Sequence, residues 1–278
     1  MKIAALIRAY HRPDQLDLLL DRLGGELWAP YVHIDRKADV AQFARSRDKA
    51  VFIDDRVQVN WGGLSQVDAT IRLFKAALAD PTITHFYNMS GQCWPVKSDE
   101  QIAATIGAMP PGSANLIEMH AMPVSHKPIE RYTRYWLHDV RNPVAWRIAS
   151  RLFPRRPDRS LKTLRQIPLY GGGCWWLFER ETVVEIMTFL AANRWYWQSF
   201  RHTDCPDEML FHSLMKPLGI HVGGPSPTAD TWIEGKAHPE TVTEAMHRDF
   251  VAGPALFARK YVDFHPGWMP VDLSAAAA

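Results

Sequence analysis

Apolar residues fill Lys2–Ala9 almost without a break, which predicts a short strand buried in a sheet. Pro13 then suits the first position of a helix whose Leu16, Leu19, Leu20 and Leu23 fall on one face, and Gly24-Gly25 ends it. Tyr31–Asp35 and Val51–Ile53 read as the second and third strands. From Gly63 to Leu78, apolar residues recur at Leu64, Val67, Ile71, Phe74 and Leu78, the spacing of a helix with Ser65 as its cap. His85–Met89 and Asn115–Met119 read as the fourth and fifth strands. The second half offers a strand at Cys174–Phe178 and helices over Arg180–Ala192 and Pro206–Lys216. Strands alternating with helices predict an α/β fold with a largely parallel sheet. Such sheets bind ligands beyond the carboxyl ends of their strands, so the residues just after the strands are the ones to inspect.

Composition narrows the picture. A chain of 278 residues suits one large domain or two small ones, and 47% hydrophobic with 22% charged residues is globular rather than disordered. A net charge of +2 is too small to point to nucleic acid. Most of the eleven Trp and eight Tyr can be core filler, but their flat rings also stack on sugars and bases. The three cysteines lack metal-ligand spacing and exclude a full disulfide framework, which fits a reducing cytoplasm. The N-terminus has no signal-peptide pattern, and no apolar run reaches the length of a membrane span. Arg147–Arg165 holds seven basic residues and one acid, the pattern of a loop over an anionic substrate, a patch for an anionic membrane surface or a solvated helix and linker. Residues 271–278 read as a disordered tail.

Six segments carry possible chemistry. In His33–Asp39, Asp35 closes a strand and Arg36-Lys37 follow, so a carboxylate and cations stand where a nucleotide would bind, or form an ordinary polar turn. Trp61-Gly62-Gly63 precedes a helix start, where exposed amides favour an anion. After the fourth strand stand Ser90-Gly91-Gln92 rather than the paired acids that would hold a hard cation, so no metal site can be placed there. Pro168–Val183 runs Gly171-Gly172-Gly173 into Cys174-Trp175-Trp176, a backbone able to approach a ligand closely. In Thr203–Leu214, Pro206 suits a first helical position, placing Asp207 and Glu208 in a first turn. There they either cap the helix or keep a general base ionised. Finally, Arg259-Lys260 lie between apolar residues in Ala255–Asp263 and could face phosphates or snorkel to the surface.

Taken in order, HIDRKAD, the NW-GG-L-S-Q-V-A segment, NMSGQCWPVKS, GGGCWW, CPDEMLF, HPETVT and LFARKY resemble the core-2/I-branching β-1,6-N-acetylglucosaminyltransferase family, which includes peptide-O-xylosyltransferases. The likeness runs from about Ile3 to Asp263. It implies a GT-A type fold: one catalytic domain over 1–270, with nucleotide-sugar binding in 1–120 and acceptor binding and catalysis in 121–270. It implies inverting transfer without a divalent metal or other cofactor. Glu208 would be the base, and Asp35, Arg36, Trp61, Arg259 and Lys260 would hold the UDP-sugar. Glu118, Trp175, Trp176 and Trp232 would face the acceptor and sugars, and either Arg259 or Lys236 would supply a second cation on the diphosphate. The animal members' membrane anchor and disulfides have no counterpart here. The expectation is therefore a cytoplasmic, bacterial-type enzyme of surface polysaccharide synthesis, acting on a saccharide acceptor with a donor such as UDP-GlcNAc or UDP-xylose. The competing reading is a decayed carbohydrate-binding protein on the same fold. A nucleotidyltransferase would require carboxylate-held Mg²⁺.

Overall fold

The first apolar run becomes the central strand of the protein. In the computed structural model, which describes residues 1–124, 126–140, 142–152, 167–233, 235–236 and 238–262, β1 (Ile3–Ala9) is flanked by parallel neighbours on both sides. These are β2 (Trp28–Ile34) and β4 (His85–Ser90); β3 (Val51–Phe52) adds parallel to β2. A fifth strand, β8 (Leu177–Glu179), runs antiparallel along β4 and closes the order β3-β2-β1-β4-β8. This is the α/β architecture, with a largely parallel sheet, that the pattern predicts.

A strand paired on both sides and covered on both faces must be apolar nearly throughout. Its two faces feed two cores. Ile3, Ala5, Ile7 and Ala9 pack with Leu16, Leu19, Leu20 and Leu23, from α1 (Pro13–Arg22) and the turn after it. Ala4 and Leu6 pack with Val67, Leu73, Phe74 and Ala77 of α2 (Ser65–Leu78). Arg8 continues the Ala4–Leu6 face at the carboxyl end of β1 and is the one charge in an otherwise apolar strand.

β1 leads to β2 on one side, and the chain later returns to β1's other side as β4. This order reversal opens a crevice between the carboxyl ends of β1 and β4. Residues 257–262 cover it. β10 (Phe257–Arg259) lies antiparallel to β5 (Cys93–Pro95), which follows β4, and parallel to β9 (Thr228–Ala229). Gln15 Nε2 donates to the Tyr261 carbonyl at 2.7 Å and Arg12 Nη1 to that of Val262 at 2.6 Å, fastening residues 259–262 over the β1–α1 turn. The regions before and after residue 120 thus interleave, since β8 completes the first sheet and β10 joins β5.

Several local expectations change. Asn115–Met119 forms no regular strand; only Leu116 bridges, to Leu177 and Gly224, because the chain turns away to press the Glu118 carbonyl against Gly172. Regular pairing of the Cys174–Phe178 segment begins at Leu177, while Asn88 holds the stretch before it: its N–H reaches the Trp176 carbonyl and its Nδ2 that of Cys174. Ser65 lies inside α2; Asp139 caps that helix from afar, accepting from Ser65 N at 3.2 Å and Ser65 Oγ at 2.6 Å. Pro206–Lys216 splits into a 3₁₀ turn, Pro206–Glu208, and a short helix, His212–Met215. Of the basic stretch, residues 153–166 lie outside the described residues, as does the 271–278 tail. Cys93, Cys174 and Cys205 are buried free thiols. Among the described residues, no helix is long and apolar enough to cross a membrane.

Candidate active site

Positive charge gathers at the crevice. Arg8, on β1, and Arg259, on β10, both approach the ring of Trp175, their guanidinium carbons 5.9 and 4.1 Å from its centroid. Cations over an indole face are held electrostatically and kept rigid. Both Nε atoms are buried without a hydrogen-bond partner. The nearest acids stand off: Arg8 Nη1 is 3.9 Å from Asp207 Oδ2, and Arg259 Nη1 is 3.9 Å from Asp230 Oδ2. Lys260 follows, its pKa lowered by burial and then by Arg259. His11 and His238 are also lowered, first by burial; Arg12 and Lys260 add to it at His11, and Lys260 and Arg259 at His238. Groups that suppress one another's charge in this way make a site that favours an anion. Lys236, the alternative second cation, instead pairs on the surface with Glu240 at 3.0 Å. The structure brings in Arg8, which motif reading missed.

Glu208 sits at the end of the 3₁₀ turn, beside this cluster. Its Oε2 accepts from Lys127 Nζ at 2.5 Å and Arg131 Nη1 at 2.7 Å. Among the described residues, no hydrogen bond is recorded to Oε1, so the carboxylate is anchored by one oxygen and presents the other. Asp207, one residue earlier, is buried, and its pKa is pushed up to about 6, mainly by burial; Arg8 pulls it down and Glu208 pushes it up. Gln66 of α2 reaches Asp207 Oδ1 at 3.3 Å and, through its carbonyl, Arg8 at 3.4 Å. The two acids of one turn therefore face different partners. Asp207 meets the crevice arginine, and Glu208 meets two cations from the segment 127–131, which no motif had marked.

The glycine triplet joins Glu208 to Glu118. Gly172 N donates to the Glu208 carbonyl at 3.1 Å, and Gly173 N to Glu118 Oε2 at 2.7 Å. A Cβ on Gly172 would lie 1.8 Å from the Glu118 carbonyl oxygen, so only glycine fits there. His212 donates through Nε2 to the Gly173 carbonyl at 3.0 Å; its pKa falls to about 4, chiefly by burial, so the ring is neutral. Glu118 also contacts His120 Nε2 at 3.0 Å.

The aromatic candidates separate. Trp176 is fully buried, stacked on Phe178 at 4.2 Å and packed against Phe74 and Phe211, so it is a core residue and not a sugar platform. Trp175 lies between the two arginines. Trp61 and Trp232 are 59% and 53% exposed. Trp61 meets His138 and His238 edge-on at 6.2 and 5.7 Å, and Gly62, beside it at φ 74°, packs against His138. The Gly62 carbonyl accepts from Cys205 N at 2.9 Å, which places Trp61 near the Pro206–Glu208 turn.

Asp35 ends β2 buried. Its Oδ1 accepts from Lys37 N at 2.8 Å and Val59 N at 3.3 Å, and its Oδ2 lies 3.5 Å from Lys37 Nζ. Arg36 is exposed next to it. A cavity of about 230 Å³ opens beside this strand end, lined by Ile34, Val40, Phe52, Ile53, Asp54 and Arg56 among others.

A family profile described as "Branch: Core-2/I-Branching enzyme" matches residues 27–252, most of the chain. The chain belongs to the Core-2/I-branching enzyme family, whose members are glycosyltransferases. No curated protein sequence matches it significantly. Among solved structures, this family member is similar to mouse xyloside xylosyltransferase 1 at 11% identity and TM-score 0.43, covering 92% of this chain and 96% of that one. It is also similar to a 4-diphosphocytidyl-2C-methyl-D-erythritol synthase, at 14% identity and TM-score 0.38 over 90% of this chain and 96% of that one. A third likeness, to residues 1–349 of S. aureus TarS, has 15% identity and TM-score 0.28 over 61% and 50% of the two chains. The family's GT-A architecture accords with the sheet order and the crevice at its switch point.

Proposed function

We propose that this chain moves a sugar from a UDP-sugar to a hydroxyl of a saccharide acceptor, with inversion and without a divalent metal. The observation that carries this reading is the pairing of a cation-anchored carboxylate, Glu208, with the cluster Arg8, Arg259 and Lys260 at the switch-point crevice. Glu208 Oε1 takes the proton of the acceptor hydroxyl. The freed oxygen attacks the anomeric carbon, and the bond to the diphosphate breaks with its electron pair going to UDP. The three cations stabilise that growing charge, the part a metal plays elsewhere. Asp35 and Lys37 orient the nucleoside near the β2 cavity, with Arg36 reaching for the diphosphate from the same turn. Glu118 holds the acceptor, and Trp61 and Trp232 offer exposed faces to the sugars. GlcNAc or xylose is the donor sugar we favour, and assembly of a bacterial cell-surface polysaccharide is the setting.

Peripheral contact with an anionic membrane belongs to the same reading. Helix α5 (Pro143–Leu152) exposes Val144, Ile148 and Leu152 along one stripe, with Arg147 and Arg151 also exposed. Apolar burial and attraction to acidic headgroups act together on such a helix. Sedimentation with vesicles rich in acidic lipid, and not with neutral ones, is the expected result.

The central experiment is a screen of UDP-sugars for donor hydrolysis and transfer, with and without EDTA, on wild type and Glu208→Gln. Transfer persists in EDTA, and Glu208→Gln keeps UDP binding but loses about 10²–10⁴-fold in transfer. Activity abolished by EDTA and restored by Mn²⁺ would overturn the metal-free reading. Unchanged transfer by Glu208→Gln would remove Glu208 as the base.

A further inference from the structure

Beside the acceptor end of this site, one carboxylate and two imidazoles converge with no part in the proposed reaction that needs all three. Among the described residues, a ligand atom from each of Glu118, His120 and His126 lies within 4.8 Å of the other two. The trio is fixed from several directions. β6 (His120–Ala121) pairs with β7 (Tyr170–Gly171), which sets His120 opposite Gly171. The turn around His126 is closed by reciprocal backbone bonds between Val124 and Lys127, at 3.2 and 3.0 Å. The two imidazole rings stand 5.9 Å apart and nearly perpendicular, at 85°. Glu118 Oε2 is oriented by Gly173 N, as outer donors orient a metal's ligands. Glu118 and His120 side chains are 39% and 45% exposed, so an ion can reach them.

Two imidazoles and a single carboxylate do not suit Mg²⁺ or Ca²⁺, which want mostly oxygen ligands. They suit a borderline ion such as Zn²⁺, which accepts three protein ligands of this kind and keeps a position for water. The consequence for catalysis follows from the neighbours. Glu118 is the carboxylate we assign to the acceptor, and Lys127, next to His126, is one of the two cations anchoring Glu208. An ion bound here occupies the acceptor's place and pulls on the segment that positions the base.

We propose that Glu118, His120 and His126 form a zinc-type site at the acceptor end of the crevice, and that filling it inhibits transfer. The inhibitory half rests on the transferase reading above; the binding half does not. Calorimetry with Zn²⁺ on the full chain should give one tight site, absent with Mg²⁺, and Co²⁺ should give the visible absorption of a low-coordinate histidine site. His126→Ala, an exposed residue outside the catalytic set, should keep the thermal midpoint and the rate in chelator but bind Zn²⁺ about tenfold more weakly or worse. One equivalent of Zn²⁺ should suppress wild-type transfer and leave that variant active. Equal Zn²⁺ binding by wild type and His126→Ala, or an undiminished wild-type rate with the site filled, overturns the proposal. If no UDP-sugar supports transfer even in chelator, the transferase reading fails by itself, while one Zn²⁺ site with its cobalt spectrum, lost in His126→Ala, still supports the metal site.

Discussion

Replacing Arg8 with Met keeps an unbranched apolar stem and removes the charge. Two consequences can be sized. The first concerns Asp207, whose pKa of about 6 reflects burial, opposed by Arg8 at 3.9 Å. Two unit charges at that distance interact by about 4 kcal/mol at an effective dielectric of about 20. That corresponds to roughly 3 pH units, and even a third of it carries the midpoint to about 7. Asp207 is charged above its midpoint and neutral below it. In wild type, the pair with Arg8 is therefore intact at neutral pH and lost as pH falls through about 6; in Arg8→Met at least about half of the carboxyl is protonated at neutral pH. The second consequence concerns the donor. Loss of one of three cations facing the diphosphate should lower the transfer rate by about 10²–10³. The assay is kcat/KM against pH with a single UDP-sugar, with UDP affinity measured by calorimetry. The expected wild-type profile breaks at about pH 6, where Arg8 loses its counter-charge, and that break moves up in pH in Arg8→Met. If Arg8→Met binds UDP and transfers sugar as wild type does, Arg8 does not face the diphosphate and only neutralises Asp207. If the variant loses activity but keeps UDP affinity, the cluster stabilises the leaving group only as it departs.

The remaining predictions separate roles that the sequence could not. Trp175→Ala should fold with a near-native thermal midpoint yet bind UDP weakly, because two arginines lose the ring that steadies them. Trp176→Ala should instead lose about 3–5 kcal/mol in denaturant unfolding, as a fully buried indole in a packed core does. Ser98→Ala removes one half of a reciprocal cap, in which Ser98 Oγ accepts from Gln101 N at 3.3 Å and Gln101 Oε1 accepts from Ser98 N at 3.0 Å. It should cost about 1 kcal/mol in unfolding and leave transfer intact.

The central sheet was legible because burial on both faces demands a largely apolar run: β1 has one apart from Arg8, β2 one apart from His33, and β4 has Phe86, Tyr87 and Met89 around Asn88. Elements whose pairing depends on tertiary contacts were not. Asn115–Met119 has a strand's composition, but past the Leu116 bridge Ile117 N donates to the Gly224 carbonyl, the Glu118 carbonyl packs against Gly172, and the Glu118 side chain accepts from Gly173 N. Pro206–Lys216 has a helix's composition, but it breaks after Glu208, whose side chain is held by Lys127 and Arg131 from another segment. Site residues divide in the same way. Glu208, Asp35 and Lys260 stand in motifs, but Lys127 and Arg131 lie in a stretch with no pattern, and only the fold shows what they touch. Arg8 did leave a signal. A full charge inside the apolar run of a central strand costs too much to bury without a partner. Its position, next to last in the strand at the switch point, says which kind of partner to seek: an anion in the crevice.

The same reasoning explains why a site without paired acids after β4 needs this many cations. Where a divalent ion binds the diphosphate, two positive charges arrive together with the substrate. On the metal-free reading we propose, they must be built into the chain and held apart by its own contacts. Arg8 and Arg259 meet that demand by facing one indole, each with an acid at 3.9 Å: close enough to lower the cost of burial, too far for a hydrogen bond that a phosphate would have to break. Both Nε donors are buried without a hydrogen-bond partner. Each unmade bond of this kind costs about 1–3 kcal/mol, which a bound diphosphate would return as affinity. On the proposed reading, UDP should therefore raise the thermal midpoint of wild type more than that of Arg8→Met.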